Sequence, residues 1–483
     1  MNLADLIRCH ALNRPAHPAL LWRPRQEESL DYRALWRRIE AYAARLASLG
    51  VGRGDRVGLA LGDHTSHLVM HYAVARLGAV ILPVDHRWTV AEKTAAARRF
   101  EARLLLVDDA SDDYGDVPIH VPDESWLDEP ADGAPEMPVD EEMPLLISLS
   151  SGTTGKPKGA IVTHRQFYER FVSQWVTLGI NGQDRFVAVT PLYFGAGRSF
   201  SMCLLAAGGT VVLDPPPHKP DEVVAAIHRS GATVTFLVPT LLRRLLPLAG
   251  EDGPLLPGLR LLISSGAVLH AGEAREMRRK LSPGLLSYYA SSEGGGISIL
   301  QPGELAEHAD TVGRPTFRVE VEILGTDGQP VAHDEAGRLR YRGPGVATRF
   351  LDENGNEHGP EPGGWFYPGD LAAQDDDGYL TLRGREKDMI IRGGVNVYPG
   401  EIERVLLTHP DIDDAAVLGR ASERLGEEVV AFVTGRVADT SALLSHCAAS
   451  LAPYKVPAEI IFIEEMPKNS LGKVLKKELA RRL

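Results

Sequence analysis

Between Tyr32 and Asp85 the hydrophobic period of the chain changes three times. YRALWRRIEAYAARLASLG (Tyr32 to Gly50) spaces Leu35, Ile39, Tyr42 and Leu46 three and four residues apart and closes on Gly50, which predicts an amphipathic helix with a glycine stop. RVGLALG then reads as a buried strand, LVMHYAVARLGA as a helix and VILPVD as another strand. Strand and helix in alternation predict a mostly parallel sheet with helices packed on it. The pattern resumes in RFVAVTPL, GTVVLDP, VTFLVPT and LRLLISSGA. From about Val319 the texture turns to short strands (VEVEILGTDGQPVA, GRLRYRGPG, GYLTLRG), and after Arg385 come further strands (DAAVLGR, EVVAFVTG), helices and a basic end, KVLKKELARRL. The expected fold class is therefore α/β. A large N-terminal domain of parallel-rich sheets layered with helices would span 1–384, with a β-rich subdomain over about 319–384. A small α+β domain would fill 385–483.

A chain of 483 residues, 44% apolar, is too long for one core, in keeping with that division. Its net charge of −13 argues against a protein that coats nucleic acid. Cys9, Cys203 and Cys447 lie too far apart for a disulfide framework or a metal site. MNLADLIRCH lacks the basic start and apolar run of a signal peptide, and no apolar run approaches the roughly 18 residues that span a bilayer, so a cytoplasmic protein is expected. The acidic, proline-bearing stretch from Asp108 to Glu142 reads as a solvated excursion.

SSGTTGKPKG (Ser150 to Gly159) holds three glycines, four hydroxyls and two lysines between the apolar LLISL and AIVTH. Glycines let backbone N–H groups approach an anion and lysines supply charge, so this stretch suits phosphate. It is not a Walker A loop, because two residues rather than four separate Gly152 from Gly155-Lys156, and Pro157 follows.

Five more motifs follow in order: TPLYFGAG (Thr190 to Gly197), YYASSEGG (Tyr288 to Gly295), GWFYPGDLA (Gly364 to Ala372), GREKDMIIRGGVNVYPGEIE (Gly384 to Glu403) and PKNSLGK (Pro467 to Lys473). Together the six resemble those of the adenylate-forming superfamily, which includes acyl- and aryl-CoA ligases, luciferases and peptide-synthetase adenylation domains. The resemblance covers essentially the whole chain. It implies a two-step reaction: a carboxylate attacks the α-phosphate of ATP to give acyl-AMP and pyrophosphate, then a thiol or amine displaces AMP. The implied cofactors are ATP, Mg²⁺ and, as acceptor substrate, CoA. The opening loop would then hold the β- and γ-phosphates, through Ser150, Ser151, Gly152, Thr153, Thr154 and Lys158.

The resemblance also assigns the remaining roles. Lys473 matches the catalytic lysine that bridges carboxylate and α-phosphate, whereas Lys476 and Lys477 read as tail residues. Glu293 would hold Mg²⁺, unless it is a plain turn acid, with Ser292 in place of the usual threonine and Ala290 in place of glycine. Asp370 and Arg385 match the residues that reach the ribose, Tyr289 would stack on adenine, and Gly266 and Ala267 leave room for the ring. Lys387 falls at a hinge about which the small domain swivels, carrying Lys473 out and bringing in Gly393 and Gly394. Those glycines resemble the lining of a pantetheine tunnel, or else form a simple turn.

Tyr193, Phe194, Arg198, Tyr288, Gly294 and Gly295 would line the acyl pocket. Phe194 replaces a histidine common in acyl- and aryl-CoA ligases, giving an apolar wall, and Tyr288 replaces a glycine at the pocket floor. Both point to a compact aromatic or short- to medium-chain acid. Arg198 would pair with a second carboxylate or a carbonyl of the substrate, or would be a surface or phosphate-side arginine. Val395 replaces an acid of related RGGEN segments, so transfer to a carrier-protein thiol or an amine stands as the alternative to CoA. Homodimerisation is left open. A non-catalytic nucleotide sensor would need a damaged Lys473, Glu293 or Asp370, and all three are present.

Overall fold

The computed structural model describes residues 1–22, 28–127, 134–135, 140–151, 157–214, 219–267, 269–352, 356–393, 395–422, 424–436, 439–468 and 474–483. Two large mixed sheets form the first four-fifths of the chain. The nine-stranded sheet has a parallel centre, running from Leu285–Ser291 through Leu261–Ser264, Val234–Leu237, Arg185–Ala188 and Thr210–Leu213 to Pro18–Trp22, with antiparallel strands at both edges. The eight-stranded sheet is parallel around Arg56–Ala60, Val80–Pro83 and Ala102–Val107. Its other half is antiparallel and begins with the hairpin of Pro144–Ser151 and Pro157–Thr163. The alternation read from the sequence is thus present in both sheets. Buried strands such as Val80–Pro83 and Val234–Leu237 have no exposed face, as parallel strands covered by helices on both sides require.

A four-stranded antiparallel sheet contains Glu320–Leu324, Gly337–Arg342, Asp370–Gln374 and Leu380–Arg385. The span 319–384 is not wholly its own unit, because Arg349–Leu351 leaves it and pairs with Pro157–Thr163 of the eight-stranded sheet. The small sheet ends at Arg385, and the next strand, Ile390–Arg392, already belongs to a separate sheet with Ile412–Ser422 and Gly426–Gly435. Between them sits the short turn Glu386–Asp388.

The acidic excursion is more anchored than its composition suggests. Trp126 is buried edge-on against Tyr42, with ring centres 5.8 Å apart, and Tyr114 and Val117 are buried as well. Three aromatic or aliphatic anchors suffice to hold such a segment down.

Three buried histidines shape the acid stability of the large domain. Burial lowers His71 to about 3 and His164 to about 4, and holds His67 well below its usual value. In the unfolded chain all three protonate near 6.5. Stability is therefore full above that pH and lost as pH falls below it, since only the unfolded state gains the protons. Lowering pH from 7 to 5 should cost about 2 kcal/mol for His71 and again for His164, with His67 acting in the same direction. Urea unfolding at the two pH values checks this, and His71→Leu should flatten the dependence.

Candidate active site

The nine-stranded sheet delivers most of the candidate residues from the carboxyl ends of adjacent parallel strands, where open α/β sheets bind ligands. Tyr193 and Phe194 follow Arg185–Ala188, and Gly266 and Ala267 follow Leu261–Ser264. Ser264 is in register with Ser287, so Gly266 and Tyr289 leave neighbouring strands two residues beyond a shared rung. Gly266 has φ +96°, a conformation that favours glycine, and is exposed.

Asp370 and Arg385 face each other across two antiparallel strands, with Arg385 Nε 2.7 Å from Asp370 Oδ1. The Tyr289 hydroxyl donates to the other carboxylate oxygen, Oδ2. Burial and the Asp370 charge raise the tyrosine well above its ordinary value, so it stays a donor. Arg385 also donates to the Pro368 carbonyl at 3.2 Å. Asp370 is buried, and an ionised carboxylate has the acceptor-only chemistry that a diol requires.

The turn bearing Glu293 is held from an unexpected quarter. Arg170, buried on the helix His164–Leu178, donates from Nη2 to the Glu293 carbonyl at 2.6 Å and from Nη1 to the Ser292 carbonyl at 3.4 Å. Its Nε donates to the Gly345 carbonyl at 2.9 Å, and the Ala347 amide closes on the Glu293 carbonyl at 2.9 Å. Burial lowers Arg170 to about 10, so it remains a cation at neutral pH. No motif in the sequence points to it. The available signal was a charged residue inside a buried helical stripe, Phe167–Arg170–Phe171–Gln174.

Fixing the backbone of Glu293 frees its side chain. The carboxylate is half-buried and has no hydrogen-bond or ion-pair partner among the described residues. Among those residues no three metal-ligating side chains gather. Mg²⁺ suits such a site, because it retains several waters and takes one or two carboxylates plus phosphate oxygens. Ser292 is exposed beside it, and Ala290 is half-buried.

On the acyl side, Tyr288 is buried with its ring 5.8 Å from Phe200, edge to face. The three glycines after Glu293 each have a packing reason. A side chain at Gly296 would meet the Tyr288 hydroxyl at 2.1 Å, and one at Gly294 would meet the Tyr341 hydroxyl at 2.3 Å. Gly295 has φ +76° and lies against Arg170. The side-chain space of Gly294 and Gly295 is therefore filled by the protein, so neither glycine opens extra room. Phe194 is half-buried against the large core. Tyr193 is capped by Arg87, which stacks 5.1 Å from its ring centre and donates to its hydroxyl while forked on Asp85 at 2.9 and 3.0 Å. Arg198, one of the two sequence options for which was a surface or phosphate-side position, is buried.

Ser150 and Ser151 end one strand of the hairpin, and the exposed Lys158 stands opposite Ser150 on the other. The motif thus joins two strands and does not lead into a helix, as a Walker A loop would. Gly152, Thr153, Thr154, Gly394 and Lys473 lie outside the described residues. The flanks of Lys473 are pinned: Lys468 and Val474 form an antiparallel bridge, and the Leu475 amide donates to the Pro467 carbonyl at 2.8 Å. Lys387 is exposed in the turn Glu386–Asp388, and Gly393 has φ +59°.

The Asp370–Arg385 pair on the small antiparallel sheet meets Tyr289 of the nine-stranded α/β sheet, and this meeting of an acceptor-bearing cluster with the carboxyl-end side of a parallel sheet is the kind of place where α/β enzymes bind nucleotides. The chain matches the AMP-binding enzyme family over residues 7–351 and the AMP-binding enzyme C-terminal domain over 401–473, and it belongs to that family. It is 32% identical to an indoleacetate–CoA ligase from Aromatoleum aromaticum, covering 99% of this chain and 98% of the other. It is also 32% identical to a feruloyl-CoA synthase from an Amycolatopsis species, covering 94% of each. Among solved structures, o-succinylbenzoate CoA synthetase from Bacillus subtilis in complex with its acyl-adenylate superposes with a TM-score of 0.86 at 26% identity, covering 98% of this chain and 97% of that one. Among the described residues no helix is long and apolar enough to cross a membrane.

Proposed function

We propose that this enzyme converts a compact aromatic or short- to medium-chain carboxylic acid to its acyl-AMP at the expense of ATP, releases pyrophosphate, and passes the acyl group to CoA. The observation that carries the reading is the Tyr289–Asp370–Arg385 cluster, whose Tyr289 is the strand neighbour of the buried Tyr288. It gives a ribose and a reacting carboxylate a common boundary. Asp370 would accept the ribose hydroxyls, while Arg385, paired with it at 2.7 Å, would orient that carboxylate and also reach the ribose. Glu293 would hold Mg²⁺, which when bound neutralises phosphate charge. The hairpin loop, from Ser150 to Lys158, would grip the leaving pyrophosphate, and Lys473 would offset the charge gathering between carboxylate and α-phosphate.

The unit boundary is placed at 384/385, with Lys387 as hinge. Hinges absorb backbone torsion at a few positions, and Lys387 sits in the one turn that separates two sheets. The relatives' named acids, indoleacetate and ferulate, are compact and aromatic, in keeping with Phe194 and Tyr288 as walls of the acyl pocket.

The test is pyrophosphate release with ATP and Mg²⁺ over a panel of acids, each with and without CoA. Sustained turnover that needs CoA supports the ligase. A single turnover per enzyme that CoA does not extend points to a carrier-protein thiol or an amine as acceptor. A second check concerns size. Tyr288→Ala should raise kcat/KM for octanoate against butanoate by at least about 10-fold, since each methylene accommodated in an apolar pocket is worth 10-fold or more. The same change should cost about 3 kcal/mol of stability through the cavity it leaves.

A further inference from the structure

Arg198 is 3% exposed, yet among the described residues it has no acid to pair with. Its Nη1 donates to the carbonyls of Tyr193 at 3.0 Å and Leu192 at 3.4 Å. Nε is buried without a partner, and Nη2 has none among the described residues. The charge it feels most is another cation, Arg170, and burial lowers it only to about 9, so it is charged at neutral pH. Asp63 accepts the Leu192 amide at 2.6 Å, but the cations that act on it are His86, His64 and Arg87. A buried guanidinium without a counter-charge is costly and calls for an explanation.

The surroundings carry further unmet polarity without supplying charge. His67 and His71, both fully buried and stacked with ring centres 5.0 Å apart, direct Nδ1 at the carbonyls of Gly62 and His67, at 3.0 and 2.8 Å. Their Nε2 atoms, and the Ser201 hydroxyl on the Arg198 helix, have no partner. That helix is tied to the histidine-bearing helix Thr65–Arg76 by the Tyr72 hydroxyl, which donates to the Met202 carbonyl at 2.9 Å. The histidines are neutral, so they leave the arginine's charge unanswered.

Two features tie that charge to the candidate acyl residues. The Nε/Nη2 edge is the pair of parallel N–H groups that receives a carboxylate in fork geometry. The other edge is bonded to the Tyr193 carbonyl, and the helix that carries Arg198 begins directly after Phe194 at Gly195, where an added side chain would meet nothing within 4 Å. We propose that the buried Nε/Nη2 edge of Arg198 seats a second carboxylate of the acid substrate, making this enzyme selective for dicarboxylic acids. The inference rests on the adenylation reading and narrows its substrate class.

The experiment compares matched acids by pyrophosphate release: phenylacetate against its 2-, 3- and 4-carboxy derivatives, and butanoate against glutarate. In the unaltered enzyme at least one dicarboxylic member should exceed its partner in kcat/KM by about 100-fold or more, because a site built to bond a polar group rejects analogues that lack it. Arg198→Leu should reverse that order. Arg198→Lys, which keeps the charge and loses the fork, should retain the preference at about a tenth of its size. Turnover of monocarboxylic acids with no dicarboxylic preference overturns the proposal and leaves adenylation standing. So does an equal loss on both members in Arg198→Leu, which would make the residue a clamp on 192–193. Silence from every acid overturns both. Should the leucine variant not fold, the profile of the unaltered enzyme and of Arg198→Lys decides.

Discussion

Lys473→Ala should lower the rate of acyl-AMP formation by at least about 100-fold while leaving the unfolding temperature within a degree or two. Two anions must meet in the first step, and a fixed cation at the point where their charges merge is worth far more in a dry site than in water. The lysines near it provide the contrast. Lys476 is already committed, with Nζ 2.8 Å from Glu403 and 3.0 Å from the Val417 carbonyl. Lys468 is paired with Asp414. Lys476→Ala should therefore cost stability of the small domain and change the adenylation rate by only a few-fold. A half-reaction sharpens the test. If the small domain swivels about Lys387, Lys473 leaves the site before the second step, and thioester formation from preformed acyl-AMP should survive Lys473→Ala. Equal losses in both half-reactions would remove the swivel from the mechanism.

What the sequence made legible was whatever rests on local period or contiguous motif. Four strands at the heart of the nine-stranded sheet, Arg185–Ala188, Thr210–Leu213, Val234–Leu237 and Leu261–Ser264, could be read because each is a short apolar run bounded by turn residues. Asp370 and Arg385 could each be read from their motifs, but their direct opposition depends on the register of two strands fifteen positions apart and on a bulge between Leu371 and Ala372. Arg349–Leu351 could not be assigned, because its partner in the eight-stranded sheet lies nearly two hundred residues earlier. The acidic segment misled for another reason: charge density describes its surface, whereas Trp126, Tyr114 and Val117 decide where it lies. Arg170, Arg198, His67 and His71 share one signature, a polar residue set in the apolar stripe of a helix. A stripe of that kind announces a buried obligation without naming what discharges it.

For Arg170 the discharge is the backbone of the Glu293 turn, and that sets the second large expectation. Arg170→Leu should cost about 1–3 kcal/mol of stability, since the buried Gly345 carbonyl loses its donor, while the Ser292 carbonyl, bonded at 3.4 Å beside an exposed side chain, adds little. The Glu293 carbonyl keeps the Ala347 amide, so the turn is loosened and not unmade. A loosened turn displaces the Glu293 carboxylate, and a misplacement of about 1 Å is enough for a 100-fold loss of rate. Because Arg170 touches backbone and no reacting atom, its effect should run through the metal: the Mg²⁺ concentration for half-maximal activity should rise about 10-fold or more, with the KM for the acid nearly unchanged. Arg170→Lys, a single point of charge in place of a planar fork, should recover part of the stability and little of the Mg²⁺ affinity, because one ammonium cannot span three carbonyls in fixed directions. If Arg170→Leu merely lowered stability and left Mg²⁺ dependence untouched at a temperature where it is folded, the arginine would be a core strut. The Glu293 turn would then owe its shape to the Ser291 hydroxyl, which meets the Tyr341 hydroxyl at 2.5 Å and accepts the Gly294 amide at 3.0 Å.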